Sequence, residues 1–235
     1  MENESINLKI IKVWKDYPTE SGKYLPILYP KFNQGRILFI GLNPSFSDKV
    51  FKKILKGTKY EGINIKEKLN RKNKDYDFLI WLESRAANEK DACDYFAKFH
   101  NISESVKLPY HHIDLFYFRE KTQKETKKRI GVFNKKKEFL LNDFALSQLR
   151  IAKEIINEIN PRIIIVANAF ASDIINKHDL FKIDKSKFEV NGYDFLEINH
   201  NKIPIIFSSM LTGRRALDNH SFRRLKWIIN KAIKS

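Results

Sequence analysis

The sequence predicts a three-layer α/β/α fold, in which helices cover both faces of a central, mostly parallel sheet of four strands. Four short apolar runs have the composition of strands that are buried on both faces. These runs are residues 36–40, 111–118, 162–167 and 202–207. Segments with helical spacing of apolar residues separate them, as the crossovers of a parallel sheet require. In such folds ligands bind beyond the carboxyl ends of the strands, so we expect the functional site there.

The remaining elements follow from local signals along the chain. Tyr17-Pro18 ends a predicted amino-terminal helix, and an extended arm follows it. Asn191-Gly192 favours a type I′ turn, so residues 188–198 are predicted to form a hairpin. Further helices are predicted over residues 75–100, 136–160, 169–177 and 217–233. We expect one domain over residues 1–235, with residues 1–35 packing on it as the helix and the arm.

The charge of the chain favours an anionic partner. There are 44 Lys and Arg against 28 Asp and Glu, which gives a formal net charge of +16. A field of that sign attracts nucleic acid or an acidic membrane surface, although AT-rich coding would raise the lysine count in the same way. Residues 119–137 are especially basic and are predicted to form a flexible surface loop. That loop is either merely solvated or holds the DNA backbone.

Several classes of protein are excluded by the sequence. Cys93 is the only cysteine, so the chain has no internal disulfide and no site built from several cysteines. The amino terminus lacks the apolar run of a signal peptide, and no stretch approaches the roughly 20 apolar residues of a membrane span. We therefore expect a cytoplasmic protein with no membrane partner. The chain also lacks the glycine-rich phosphate motifs, the zinc-binding helix and the nucleophile elbow of known enzyme classes.

The most specific motif is Gly41-Leu42-Asn43-Pro44-Ser45, which follows the first apolar run. Gly41 permits backbone conformations that other residues resist, and Pro44 pushes Asn43 toward an extended conformation. The motif predicts a rigid turn that directs the Asn43 amide into the crevice. An ordinary turn, in which Asn43 bonds to the local backbone, is the alternative.

This motif resembles the first motif of the uracil-DNA glycosylase superfamily. It is most similar to the mismatch-specific and single-strand-selective branches, whose motif is Gly-(Ile/Met)-Asn-Pro-Gly. Residues 161–167 are similar to the central strand of that family, residues 113–116 stand where its base-reading strand lies, and residues 208–215 stand where its second motif lies. The resemblance covers the chain from residue 36 to its carboxyl terminus.

Two departures from the family stand beside the resemblance. Residues 208–213 lack the His-Pro-Ser or Asn-Pro-Ser of the second motif. Asp114 replaces the asparagine that often reads the uracil edge, and an ionised carboxylate accepts hydrogen bonds but cannot donate one.

The resemblance implies a monomeric enzyme that removes a damaged or deaminated base from single- or double-stranded DNA without a metal or organic cofactor. It implies that Asn43 and Ser209 are catalytic. The implied base-binding residues are Gly41, Leu42, Phe46, Asp114 and Asn168, with Phe46 as a stacking platform or, alternatively, as ordinary packing. The implied DNA-binding residues are Ser45, Arg119, Thr212, Gly213, Arg214 and Arg215. The Arg214–Arg215 pair could instead be solvated or bound to Asp218.

Two other functions remain open from the sequence. The missing second motif and Asp114 favour a catalytically inactive, nucleic-acid-binding member of the same fold. An enzyme acting on a small nucleotide or nucleoside is the third hypothesis, and the absence of a glycine-rich phosphate loop weighs against it.

Overall fold

The computed structural model describes residues 2–45, 47–90, 92–199, 201–213 and 216–234. The chain forms two compact units. We call the first the helical unit; it comprises Met1–Lys31, Asn43–Cys93 and Asp114–Ala152. We call the second the sheet unit; it comprises Phe32–Leu42, Asp94–Ile113 and Lys153–Ser235.

The described strands form two sheets. They are β1 (Ile37–Gly41), β2 (Tyr110–Asp114), β3 (Gly131–Phe133), β4 (Phe139–Leu141), β5 (Ile163–Ala167), β6 (Ile183–Asp184), β7 (Asp194–Ile198) and β8 (Asn201–Ser208). The main sheet has six strands in the order β2-β1-β5-β8-β7-β6 and is mostly parallel, whereas β3 and β4 pair only with each other. The protein therefore belongs to the α/β class.

The helices lie between the strands along the chain. They are α1 (Glu2–Asp16), α2 (Pro18–Ser21), α3 (Asp48–Leu55), α4 (Ile65–Lys68), α5 (Tyr76–Asn88), α6 (Ala97–Val106), α7 (Gln123–Ile130), α8 (Asp143–Ile159), α9 (Ala169–Lys177), α10 (Phe188–Asn191) and α11 (Asn219–Lys234). A short 3₁₀ helix, Asp94–Phe96, precedes α6. None of the helices in the described part of the chain has the length and apolar content needed to cross a membrane.

The parallel strands form the core of the sheet unit. β1 pairs with β5 in the register Ile37↔Ile163, and β5 pairs with β8 in the register Ile164↔Ile205. Every residue of β1 and of β5 is buried, which explains why both runs are wholly apolar. Helix α9 packs on β5 and β8, and α11 packs on β5 and α6. These contacts take the paired strands out of water.

The prediction of four strands was incomplete. All four predicted runs contain strands of the main sheet, although the second strand ends at Asp114 and residues 115–118 are not part of it. Strands β6 and β7 extend the sheet with antiparallel pairs. The predicted hairpin over residues 188–198 was wrong, because residues 188–191 form α10 and Gly192 ends it with φ of +80°. The hairpin instead joins β7 to β8, in the register Ile198↔Asn201. An Asn-Gly dipeptide fits a left-handed helix cap as well as a type I′ turn, and here the cap formed.

The helical unit has its own aromatic core. Phe78 and Leu79 on α5 are almost fully buried, as are Phe116, Phe118 and Phe144. The Phe118 and Phe144 rings lie 5.4 Å apart between centroids. This packing fixes the segment that follows Asp114.

The extended arm predicted near the amino terminus is an integral part of the helical unit. Residues 25–29 are buried, and Leu25 donates from its backbone to the Leu69 carbonyl at 2.8 Å. The side chain of Asn7 on α1 donates to the Tyr29 carbonyl at 2.9 Å and accepts from the Tyr29 backbone at 3.0 Å. The arm therefore holds Tyr29 in a fixed place.

The predicted flexible loop over residues 119–137 was also wrong. It contains α7, which Thr122 caps by accepting a hydrogen bond from the Glu125 backbone, and the strand β3. Thr122 and Glu125 have the spacing of a capping box, which is a helix-start signal. Their charge-rich surroundings masked that signal in the sequence.

Candidate functional site

The Asn43 side chain is held by three hydrogen bonds within the helical unit. Its Nδ2 atom donates to the carbonyl oxygen of Pro44 at 3.2 Å and to that of Glu120 at 3.3 Å. Its Oδ1 atom accepts from the Thr126 hydroxyl at 2.9 Å. The Glu120 backbone also donates to the Pro44 carbonyl at 3.3 Å, which ties the turn to the segment before α7.

These contacts determine what the Asn43 amide can do. Both N–H groups point at carbonyl oxygens, so the orientation of the amide is fixed. An amide oxygen has two lone pairs, and Thr126 uses one of them. Asn43 is half-buried, and its Oδ1 has no second partner in the described ranges. The second lone pair can therefore accept a hydrogen bond from a bound water, although an amide is too weak a base to take its proton.

A cluster of charged side chains is buried within the same unit. Arg119 forms an ion pair with Glu83 of α5, and the Arg119 side chain is only 2% exposed. The Arg119 guanidinium also lies over the Phe51 ring, 5.7 Å from its centroid. Within the described part of the chain, its Nε atom is buried and has no hydrogen-bond partner.

Asp114 belongs to this cluster and is 4% exposed. Burial raises its pKa well above the usual value, the charge of Glu83 raises it further, and Arg119 opposes both effects. The backbone N–H of Asp114 donates to the Tyr29 hydroxyl at 2.9 Å. Burial and the charge of Asp114 likewise raise the pKa of Tyr29, so its hydroxyl stays neutral.

The raised pKa changes the chemistry expected of Asp114. A protonated carboxyl group donates one hydrogen bond and still accepts others, which matches the capacity of an amide. In its protonated form, Asp114 therefore supplies the hydrogen-bond donor that asparagine would supply.

A cleft of about 520 Å³ lies in the helical unit. It is lined by Lys23, Tyr24, Arg119, Glu120, Lys121, Thr122, Glu125 and Arg129. Arg129 is held in place by an ion pair with Glu120 and by hydrogen bonds to the carbonyl oxygens of Thr19 and Glu20. Arg119 and Arg129 are paired with Glu83 and Glu120, and Lys23 and Lys121 add two further cations to the lining, so the cleft favours an anion.

In the sheet unit, the candidate residues lie at the carboxyl edge of the parallel strands. Gly41 ends β1, and Asn168 follows β5. The pairing of Ala167 with Ser208 places Ser209, which follows β8, at the same edge. Leu42 is buried, whereas Ser209 is half-buried.

Asn168 caps helix α9. Its Oδ1 accepts from the backbone of Phe170 at 2.9 Å and from that of Ala171 at 3.1 Å. This cap occupies the oxygen and leaves the Nδ2 atom as the group that could contact a base.

Backbone hydrogen bonds join the described residues before and after residues 214 and 215. Leu217 donates from its backbone to the Met210 carbonyl at 3.0 Å, and Ala216 donates to the Gly213 carbonyl at 3.2 Å. Gly213 has φ of +88°, and Thr212 is half-buried. The structure thus places Thr212 and Gly213 in one turn.

The other predicted site residues have different surroundings. Ser45 is exposed beside Asn43 and Pro44 in the turn. Arg119 is buried, so an ion pair must open before its Nη2 atom can contact DNA. Phe46, Arg214 and Arg215 lie outside the described residues.

Three residues of the candidate site were missed in the sequence. Thr126 could have been found from the capping box, which predicts α7 and therefore a turn of helix at residue 126. Glu83 and Tyr29 carry no such signal, because one lies on an amphipathic helix and the other in an arm of apolar residues.

Comparisons with known proteins do not assign this site. No protein-family model matches the chain, and no curated protein sequence matches it. Among the residues that the structure describes, no group of three or more His, Cys, Asp or Glu side chains could hold a metal ion.

Proposed function

We propose that the protein is a DNA glycosylase, which hydrolyses the N-glycosidic bond of a damaged or deaminated base, and that it acts in the cytoplasm. One observation carries this proposal: the Asn43 amide is fixed by Pro44, Glu120 and Thr126 and keeps one lone pair for a water. A water-orienting group of this kind suits a reaction whose transition state is a cationic sugar.

The reaction breaks the bond between the anomeric carbon and the base nitrogen. The oxygen of the bound water forms the new bond to that carbon, and the proton that it loses ends on the departing base. Asn43 orients the water through Oδ1 and does not act as the base. Most of the rate enhancement then comes from positioning and from electrostatic stabilisation of the anionic leaving group.

Asp114 is proposed to read the edge of the base. Because burial and Glu83 raise its pKa, its carboxyl group can both donate and accept a hydrogen bond. That capacity suits a base edge that carries a carbonyl oxygen, such as that of uracil or hypoxanthine.

The fold is compatible with the proposed family. The contacts of α9 and α11 with β5 favour a three-layer arrangement like that of the uracil-DNA glycosylases. Gly41, Asn168 and Ser209 lie at the carboxyl edge of parallel strands, where ligands bind in such folds.

DNA is the proposed substrate because of the charge of the chain. The net charge of +16 and the two lysines of the cleft, Lys23 and Lys121, favour a polyanion. An enzyme acting on free nucleosides would gain little from either feature.

Base excision from labelled oligonucleotides tests the proposal. The substrates carry uracil, hypoxanthine, xanthine or mismatched thymine, and alkali cleavage reveals abasic sites. Asn43→Ala should lower the rate about 100-fold or more, the effect typical of losing an oriented polar group. Asn142→Ala is the matched control: Asn142 is half-buried in the same unit and also makes two side-chain hydrogen bonds to the backbone.

The outcomes separate the hypotheses. Product that disappears in Asn43→Ala and persists in Asn142→Ala supports the glycosylase and names the base. No product from any lesion, with DNA binding intact, would favour the catalytically inactive binding protein. Release of a base from free nucleosides, independent of DNA length, would favour the third hypothesis.

A further inference from the structure

The hairpin formed by β3 and β4 is a two-stranded sheet within the helical unit. Its register is Gly131↔Leu141, Val132↔Leu140 and Phe133↔Phe139. Asn134 fixes its turn, because its backbone donates to the Glu138 carbonyl at 2.9 Å and its Oδ1 accepts from the backbones of Lys136 and Glu138, each at 2.9 Å. A short hairpin with so ordered a turn presents its side chains in fixed positions.

Both faces of this hairpin expose apolar side chains. Val132 and Leu140 are paired across the strands and are 68% and 50% exposed. Phe133 is 60% exposed, and its ring lies 5.1 Å from that of Phe139, at an interplanar angle of 64°. These three side chains are among the few large hydrophobic residues that the described part of the chain exposes. Each face of the hairpin therefore carries exposed apolar side chains, which is typical of an interaction surface.

The turn of the hairpin is strongly basic. Lys135, Lys136 and Lys137 follow one another and are all exposed. Within the described residues none of the three forms an ion pair, and the neighbouring Glu138 side chain accepts a hydrogen bond from Asn134 at 2.7 Å. Three unneutralised cations therefore lie beside the apolar side chains.

We infer that this hairpin binds nucleic acid: Phe133, Val132 and Leu140 contact unstacked bases of a DNA strand while Lys135, Lys136 and Lys137 hold its phosphates. This inference rests on the proposed function only in taking DNA as the partner. The three lysines favour a negatively charged polymer as the partner. The neighbouring apolar side chains favour one whose charges alternate with flat apolar groups. Nucleic acid meets both conditions, since bases stack on aromatic side chains and phosphates bind lysines.

Equilibrium binding tests this inference without any need for catalysis. The affinity of the full chain for a dye-labelled, undamaged, single-stranded oligonucleotide is measured by fluorescence anisotropy over a series of salt concentrations. Phe133→Ala should weaken binding by about 5- to 150-fold, the range for loss of one base–aromatic contact, with little change in salt dependence. Its matched control is Phe188→Ala, because Phe188 is an exposed phenylalanine of the sheet unit, 52% exposed.

The lysines are tested by the slope of log affinity against log salt. K135Q/K136Q/K137Q should reduce the magnitude of that slope by about 2, since each phosphate contact on a single strand contributes about 0.7. The control K12Q/K15Q/K31Q removes the same charge from three other exposed lysines of the helical unit and should leave the slope almost unchanged. Circular dichroism confirms that each variant is folded.

Specific outcomes would overturn the inference. Equal affinities of Phe133→Ala and Phe188→Ala would show that the hairpin does not contact bases. Loss of binding to phosphatidylserine vesicles in Phe133→Ala, with DNA affinity unchanged, would assign the hairpin to membranes instead. If the protein excises bases but its hairpin variants bind DNA as well as the wild type, the DNA-binding role of the hairpin is wrong and the glycosylase stands. If the hairpin variants lose DNA binding but the protein excises no base, the glycosylase is wrong and the role of the hairpin stands.

Discussion

The buried hydroxyl of Thr126 lies 2.9 Å from the Oδ1 atom of Asn43 and 3.1 Å from the carbonyl oxygen of Thr122. One residue thus connects the turn after the first strand with the capped start of α7. Asn43 is held by backbone groups on its nitrogen and by this single side chain on its oxygen. Thr126 is therefore a positioning residue for the proposed reaction.

Thr126→Val tests that role. Valine keeps the shape of threonine but leaves the Asn43 oxygen without its donor, so we expect a loss of about 1–3 kcal/mol in the free energy of unfolding. The excision kcat should fall while KM changes little, since the orientation of the water is affected more than DNA binding. Chemical denaturation and steady-state kinetics measure the two effects, and Thr126→Ser, which keeps the hydroxyl, should restore kcat. Normal kcat in Thr126→Val would show that Asn43 needs no such support.

Asp114→Asn tests the protonated carboxyl group. The pKa of Asp114 is raised in the folded protein. Its contribution to stability is therefore fully present below about pH 3.9, the pKa of an unperturbed aspartate, and is lost as the pH rises toward the raised pKa of the folded state. Asparagine does not titrate. Relative to the wild type, Asp114→Asn should therefore become more stable with rising pH, by up to about 1.4 kcal/mol for each pH unit between the two pKa values.

Denaturation in urea at about pH 5 and about pH 8 measures this difference. Asp77→Asn, on the same α5 that carries Glu83, serves as a control for the removal of a carboxylate. Parallel pH profiles for the wild type and Asp114→Asn would show that Asp114 ionises normally. Excision that survives in Asp114→Asn would support its role as an amide-like reader of the base.

These predictions depend on contacts that the sequence signals only in part. The strand over residues 163–167 was predictable because a wholly apolar run between Pro161 and Asn168 has few alternatives. The raised pKa of Asp114 was not predictable, since it depends first on burial in the folded protein and then on the charge of Glu83, which lies on a helix far away in the sequence. The hairpin prediction for residues 188–198 was wrong for another reason. The dipeptide Asn191-Gly192 fits both a type I′ turn and a left-handed helix cap, and tertiary packing selects the cap.

The ion pair between Arg119 and Glu83 should matter greatly for stability. Arg119→Met removes the cation and leaves the Glu83 carboxylate unpaired, with its charge still acting on buried Asp114, so we expect a loss of about 3–5 kcal/mol in the free energy of unfolding. The double variant Glu83→Gln/Arg119→Met removes both charges and should lose clearly less. Urea denaturation of the single and double variants gives the coupling between the two residues. Additive losses would mean that the pair contributes no mutual stabilisation.

Gly131 should be required for the β3–β4 hairpin. A Cβ atom at this position would overlap the carbonyl oxygen of Leu140 on the opposite strand. Gly131→Ala should therefore separate the strands and loosen the turn, so that trypsin cleaves more readily after the exposed Lys135, Lys136 and Lys137. Limited proteolysis with mass spectrometry should show faster cleavage there than in Val132→Thr, which keeps a β-branched side chain. Unchanged cleavage in Gly131→Ala would mean that the strands accommodate the extra methyl group.

Asn168 offers a way to separate structure from recognition. Serine replaces asparagine well as a helix cap, so Asn168→Ser should be as stable as the wild type, whereas Asn168→Ala should lose about 1 kcal/mol. Both variants lack Nδ2, the group that the cap leaves for a base, so both should lower the kcat/KM of excision. Thermal unfolding and excision kinetics on the same preparations measure these quantities. If Asn168→Ser keeps full kcat/KM, Asn168 is a helix cap alone, and base contacts must come from other residues at the carboxyl edge of the sheet.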